Sequence, residues 1–188
     1  MTSSPTPAIE IDLEPEASAD DTALMTSLAD LINSVYVIAE AGLWVDGARR
    51  TDAREVAELV AQQELAVARI ADEVVGVVRV HGLDAGTAEF GMLAADPGHR
   101  GVGVGTALVA FAERWAGVRG FPRLQLELLV PTSWEHPSKR FLAEWYGRIG
   151  FHEVRRGPLA ELYPELEPLL ATPCVLVVSQ KSLAVGGP

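Results

Sequence analysis

Asp96-Pro-Gly-His-Arg100-Gly-Val-Gly-Val-Gly105-Thr-Ala-Leu108 joins two runs of different period. Ala88 to Ala95, before it, reads as a strand, and Thr106 to Val118, after it, reads as a helix. A glycine-rich turn that opens a helix presents bare backbone N–H groups at the positive end of the helix dipole, an arrangement that binds phosphate. The glycines let the backbone approach a ligand without Cβ atoms in the way. Arg100 adds a permanent positive charge. The segment from Arg100 through Gly101, Val102, Gly103, Val104, Gly105 and Thr106 is therefore a candidate pyrophosphate cradle.

Spacing separates three kinds of glycine-rich phosphate loop. A Walker loop needs G-x-x-x-x-G-K-[S/T], and no lysine stands near this turn. A dinucleotide fingerprint needs G-x-G-x-x-[G/A] directly after its strand. Counting from Gly101 or Gly103 ends on Thr106 or Leu108, and Asp96 to Arg100 intervene. The third pattern, [R/Q]-x-x-G-x-[G/A], is met in full by Arg100-Gly-Val-Gly103-Val-Gly105. It is the coenzyme A pyrophosphate motif of the GCN5-related N-acetyltransferases, which this chain resembles over about residues 64 to 157. Two flanking features add to the resemblance. Glu89-Phe-Gly-Met-Leu93-Ala-Ala95-Asp-Pro97 has the shape of the family's fourth strand, with Ala95 where valine is usual. Trp145-Tyr146-Gly-Arg-Ile-Gly150-Phe151 is similar to the family's aromatic pair followed by Gly-Phe. Lys139 departs from the pattern, standing where the family commonly has an asparagine against the pantetheine arm.

The resemblance implies acetyl-CoA as cosubstrate, no metal, and direct transfer of the acetyl group to an amine. It places Leu93, Ala94 and Ala95 beside the thioester and pantetheine, with backbone N–H groups free to polarise the carbonyl. Tyr146 becomes the expected donor to the departing thiolate, since a phenol is protonated at neutral pH. An alkylammonium has a pKa of about 10 and must lose a proton before it attacks. Two glutamates are candidate bases. Glu89 matches the strand-four glutamate of the histone-acetylating branch, and Glu127 resembles the strand-five glutamate of the branch acting on ribosomal protein N-termini. Glu127 is favoured because it lies opposite the leucine face of Leu124, Leu126 and Leu128. Either carboxylate would also serve simply to hold the substrate ammonium.

The loop Val130-Pro-Thr-Ser-Trp134-Glu-His136-Pro-Ser138 is longer than the family minimum. With Trp44, Glu161, Tyr163 and Glu165 it is expected to border the acceptor pocket, where aromatics and carboxylates suit a cationic amine. His136 reads either as a helix-entry residue or as a second base. The four histidines show no ligand spacing. The acceptor is expected to be a small molecule or a peptide amine; a non-catalytic acyl-CoA-binding module is the competing reading.

A net charge of −11 speaks against a nucleic-acid partner and mildly favours cationic ones. With one cysteine, Cys174, no intramolecular disulfide can form. Met1 to Ala8 lacks a basic start and a long apolar core, so it reads as a tail rather than an export signal, and no apolar run reaches the roughly 20 residues of a membrane span. Cytoplasmic residence without a membrane partner is the expectation, and a homodimer is left open. Along the chain, Ile9 to Leu13, Leu65 to Ile70, Val74 to His81, Ala88 to Ala95, Leu124 to Val130, Phe151 to Arg155 and Val175 to Ser179 read as strands. A helix capped by Asp20-Asp21 runs to Ala39; others cover Asp52 to Gln63, Thr106 to Val118 and Pro137 to Arg148. These elements predict one α/β (α+β) domain over residues 9–183, a mixed, mostly antiparallel central sheet flanked by helices, with short tails at 1–8 and 184–188.

Overall fold

The computed structural model describes residues 8–184, so the expected tails at 1–8 and 184–188 fall almost wholly outside the described residues. A single seven-stranded sheet runs through the molecule. Its strands are β1 (Glu10–Leu13), β2 (Leu65–Ile70), β3 (Glu73–Asp84), β4 (Thr87–Ala95), β5 (Arg123–Pro131), β6 (His152–Pro158) and β7 (Cys174–Ser182). The spatial order is β1-β2-β3-β4-β5-β7-β6. Among the described residues only β4 and β5 are parallel neighbours, as they must be when a helix crosses over between them. That helix is α3 (Val104–Val118). The others are α1 (Thr22–Ala39), α2 (Ala53–Ala61) and α4 (Pro137–Arg148).

Local chemistry explains the boundaries. Asp21 caps α1 by accepting from the Leu24 N–H at 3.0 Å, and Asp52 caps α2 by accepting from Glu55 N–H at 2.9 Å. The β2–β3 hairpin turns on Ala71 and Asp72, both at positive φ, with Ile70 paired to Glu73. The turn is therefore one residue earlier than the Asp72-Glu73 signal implies. Helix α3 begins at Val104, two residues before the expected Thr106, so part of the glycine motif is itself helical. Glu16–Asp20, to which no element was assigned, forms a 3-10 turn.

The two sheet faces carry different layers. Ala88 and Phe90 of β4, and Leu124, Leu126 and Leu128 of β5, pack with Leu108 and Ala112 of α3 and Tyr146 of α4. On the opposite face Val67, Val77, Met92 and Ala94 pack against α1 and α2. A smaller cluster on that second face joins Leu129 and Leu176 to Leu43 and Leu159. Helix α1 is 18 residues long with mean hydropathy 1.4, enough to cross a membrane by length and composition, contrary to the sequence expectation. Its Met25, Leu28, Ala29 and Ile32 are buried against the sheet, which accounts for their apolarity. At Gly76 a Cβ would lie 2.8 Å from the Ala94 carbonyl oxygen and 2.9 Å from Val104 Cγ1. Glycine there lets α3 settle directly on β3.

Candidate active site

The sheet opens between its two parallel strands. β4 and β5 pair only at Thr87–Arg123, Ala88–Leu124 and Glu89–Gln125. Beyond Glu89 they diverge, and Phe90–Ala95 is held only from the β3 side. Met92 sits at φ 49°, beside a register shift between Val77 and Arg79. This bulge turns Met92 and Ala94 to one face, and Leu93 and Ala95 to the other. Antiparallel pairing alternates its hydrogen bonds, and the Asp96 N–H donates to Val75. The N–H groups of Ala95 and Leu93 consequently point away from β3 into the opening, while that of Ala94 stays in the ladder.

The glycine turn lies where β4 hands over to α3. Gly101 and Gly103 adopt φ 83° and 95°, and no heavy atom lies within 4 Å of a Cβ built on either. The turn is thus an open cradle that only glycine enters without strain. Gly103 is the N-cap of α3 and has no capping side chain, so the first-turn N–H groups of the helix face outward. Arg100 and Thr106 are exposed, and Val102 is half-buried. Val104 is buried as the first helical residue, and Gly105 lies 3.8 Å (from a built Cβ) from the Trp145 ring. Asp96 holds the loop by accepting from Gly98 N–H at 2.8 Å and contacting His99 Nδ1 at 3.1 Å. With Glu73 these side chains form a cluster that sequence spacing did not suggest.

Tyr146 comes from α4 on the α3 face. It is wedged against Phe90 and Phe151, each ring centroid 5.9 Å away. Burial, with Tyr36 adding to it, pushes its phenol far above the ordinary value of 10.0. The two helix layers approach one another at the opening, where Lys139 of α4 reaches Glu40 at the end of α1.

The two glutamates stand together on the α1 face. Glu127 alternates with the buried leucines of β5, as its neighbours predict. It accepts a hydrogen bond from the Tyr163 hydroxyl at 2.8 Å. Burial first, then the nearby Glu89 charge, holds its carboxyl above the ordinary 4.5, despite Tyr163. Glu89, itself buried, accepts from Gln125 Nε2 at 2.8 Å and lies 3.3 Å from His81 Nε2. Gln180 donates in turn to Gln125 at 2.8 Å. Neither His81, Gln125 nor Gln180 was singled out in the sequence; each belongs to a strand adjacent in space, and no local pattern marks them.

Trp44 donates from Nε1 to Glu40 at 2.6 Å and bridges to Leu170, near Tyr163 in the small second-face cluster. Lys139 is buried, and its ammonium donates to the other oxygen of Glu40 at 2.6 Å. The side chain expected to meet the pantetheine arm is engaged by Glu40. Glu40 and Tyr36, an i,i+4 pair on α1, gave no sequence signal. Trp134 and His136 lie at the start of α4, their rings 5.2 Å apart, beside a cavity on the α3 face, and Trp134 also reaches the Trp44 loop, 3.7 Å from the Cβ position of Gly42, with its indole N–H donating to Thr172 at 3.3 Å. Glu161 pairs with Arg155, and both it and Glu165 are exposed.

Residues 27–148 match the family model described as Acetyltransferase (GNAT) family. The chain therefore belongs to the GNAT acetyltransferase family. Among solved structures it is similar to YncA from Salmonella typhimurium, solved with its cofactor acetyl-CoA, at 17% identity over 96% of this chain and 97% of that one, TM-score 0.63. Ard1 from Thermoplasma volcanium aligns at 19% identity over 94% and 99%, TM-score 0.61. The IAA acetyltransferase from Bacillus cereus aligns at 17% over 94% and 100%, TM-score 0.58. At these identities the likeness concerns the fold. No curated protein sequence matches the chain.

Proposed function

We propose that the protein is an N-acetyltransferase that moves the acetyl group of acetyl-CoA directly onto a primary amine within a ternary complex. The observation that carries this reading is the opening between β4 and β5, with the glycine cradle and Tyr146 on one side and the Glu127–Glu89 pair on the other. The residues fit the coenzyme: Gly101 and Gly103 leave an unfilled hollow at the positive end of α3, with Arg100 exposed beside it. Acetyl-CoA, when bound, supplies an activated thioester.

The chain's own groups divide the work. The Leu93 and Ala95 N–H groups, aimed into the opening, stabilise negative charge developing on the carbonyl oxygen. Glu127 takes the proton that the amine releases as its nitrogen bonds to the acyl carbon. Its raised pKa favours this, because a base titrating nearer neutrality accepts a proton more readily than an ordinary carboxylate. Glu89 is better suited to hold the ammonium and to raise Glu127, since Gln125 and His81 already fix its oxygens. As the carbon–sulfur bond breaks, Tyr146 donates a hydrogen bond to the sulfur. Its elevated pKa makes it a weaker acid than the departing thiol, so donation stabilises the thiolate without requiring full proton transfer. The half-buried aromatics Trp44 and Tyr163 beside these carboxylates suit a cationic acceptor: a small amine, an amino acid, an amine-bearing drug or a protein N-terminus.

Amine-dependent thiol release from acetyl-CoA, followed across an acceptor panel with mass spectrometry of the products, tests the proposal. Turnover with an acetylated amine product is expected. Tight acetyl-CoA binding without turnover on any amine would instead assign the chain to acyl-CoA sensing.

A further inference from the structure

The loop that leaves α1 returns to that helix at Arg50, and the return is pinned. Asn33 of α1 accepts at Oδ1 from the Arg50 N–H at 2.8 Å and from the Thr51 N–H at 3.3 Å. Its side-chain amide donates back to the Thr51 carbonyl at 2.9 Å. The Arg50 backbone is therefore fixed against the helix. One turn further along α1, the Tyr36 ring lies beneath the Arg50 guanidinium, whose carbon is 5.4 Å from the ring centroid. Tyr36 packs against the buried cluster that contains Met92 and Ala94, both from the stretch of β4 that has parted from β5. Arg50 thus belongs to the rim of the opening, on the face that carries Glu127 and Glu89.

The charges on this rim are mostly matched. Lys139 pairs with Glu40, Arg155 with Glu161, and His81 lies against Glu89. Arg49, beside Arg50 in the chain, pairs with Asp30 at 3.3 Å. Arg50 itself is exposed and makes no ion pair among the described residues. Its charge is nevertheless felt at the acceptor wall. Burial first, then the bond to Glu127, raise the Tyr163 hydroxyl, and Arg50 acts on it in the opposite sense. A guanidinium held against a ring keeps N–H groups along its edge that can take both oxygens of a carboxylate. Glu127 and Glu89 offer negative charge to an ammonium in the same opening. A pinned cation and a pair of carboxylates complement a small molecule that carries both charges. A simple monoamine, or the amino terminus of a peptide, would leave Arg50 unused.

We propose that Arg50 is a specificity-determining residue, and that the acceptor is a free amino acid whose amine meets Glu127 and Glu89 and whose carboxylate is held by Arg50. The assignment narrows the acetyltransferase reading and rests on it for the reaction at the amine. The probes are the common L-amino acids beside their C-terminal amides, which keep the side chain and the amine but lose the anion. Each is titrated by calorimetry into the full-length protein saturated with CoA, and each is then assayed for acetyl transfer. The best-bound acid is expected to bind about tenfold more tightly than its amide. Arg50→Gln should raise the KM for that acid about tenfold, leave its kcat nearly unchanged and leave the KM of the amide where it was. Arg50→Lys, which keeps the charge and loses the fork, should recover part of the difference. Three results overturn the proposal: acids and amides binding alike, Arg50→Gln weakening both equally, or no amino acid binding at all. Preferential binding of acids without acetyl transfer would instead sink the acetyltransferase reading and leave the amino-acid site standing.

Discussion

Glu127 shows how one residue's chemistry depends on neighbours far away in sequence. Its placement opposite the leucines was legible from the alternation Leu124, Leu126, Leu128. Its raised pKa was not, because burial and the Glu89 charge arise only when β4 and β5 are brought side by side. The acid limb of the rate–pH profile should accordingly fall above the ordinary carboxylate value of 4.5. Glu127→Gln is expected to remove that limb and lower turnover by about 10²–10⁴-fold, as checked by steady-state rates from pH 5 to 9. The stability effect has the opposite sense. A carboxyl whose folded pKa is raised contributes stability below its unfolded value and loses it as pH rises through the folded one. In the absence of ligands, Glu127→Gln should therefore be as stable as the parent protein or more so at pH 7, measured by urea denaturation. A variant less active but no less stable separates a reacting group from a structural one.

Among the elements, the turn into α3 carries the most sequence information and β4 the least visible irregularity. Gly101 and Gly103 were readable because a motif of fixed spacing encodes a local backbone conformation. Gly103→Ala meets no atom within 4 Å, so its cost is conformational, about 1–2 kcal/mol for a non-glycine residue at φ 95°. Relaxing that strain would turn the N–H groups of the cradle, and acetyl-CoA affinity should fall roughly tenfold by calorimetry while the fold persists. An unchanged dissociation constant would show that the turn does not hold the donor. The bulge at Met92 left no such trace. Positive φ at methionine is uncommon, and only the pairing of β4 with β3 alone, past Glu89, makes it tolerable. Helix α4 was predicted to its ends, Pro137 at the start and Gly150 just beyond the finish, because both signals are local. His136 at its N-cap could be placed, but nothing nearby in sequence revealed that its Nδ1 would be buried without a partner.

At the scale of the whole molecule, two helix layers on opposite faces of the sheet meet at its splayed end. The buried Lys139–Glu40 pair spans that meeting, with Trp44 donating to the same carboxylate. Removing one member of a buried ion pair leaves the other charged and unmatched, at about 3–5 kcal/mol. Lys139→Met should lose stability of that order in urea titration, and Glu40→Met with Lys139→Met should recover most of it. If the double variant were no better than the single, the pair would not be what joins the layers. Lys139 was read as a coenzyme contact because it stands seven residues before Tyr146, where the family commonly has an asparagine; its partner lies 99 residues earlier. The sequence alone thus determined the strand and helix order, the coenzyme cradle and the family, since these rest on local periodicity, capping and short motifs. Only the tertiary structure decided which charges face one another. It set Glu127 beside Glu89, Lys139 on Glu40, and Trp134 against Gly42 and Thr172, because electrostatics and burial act through distances that chain separation does not encode.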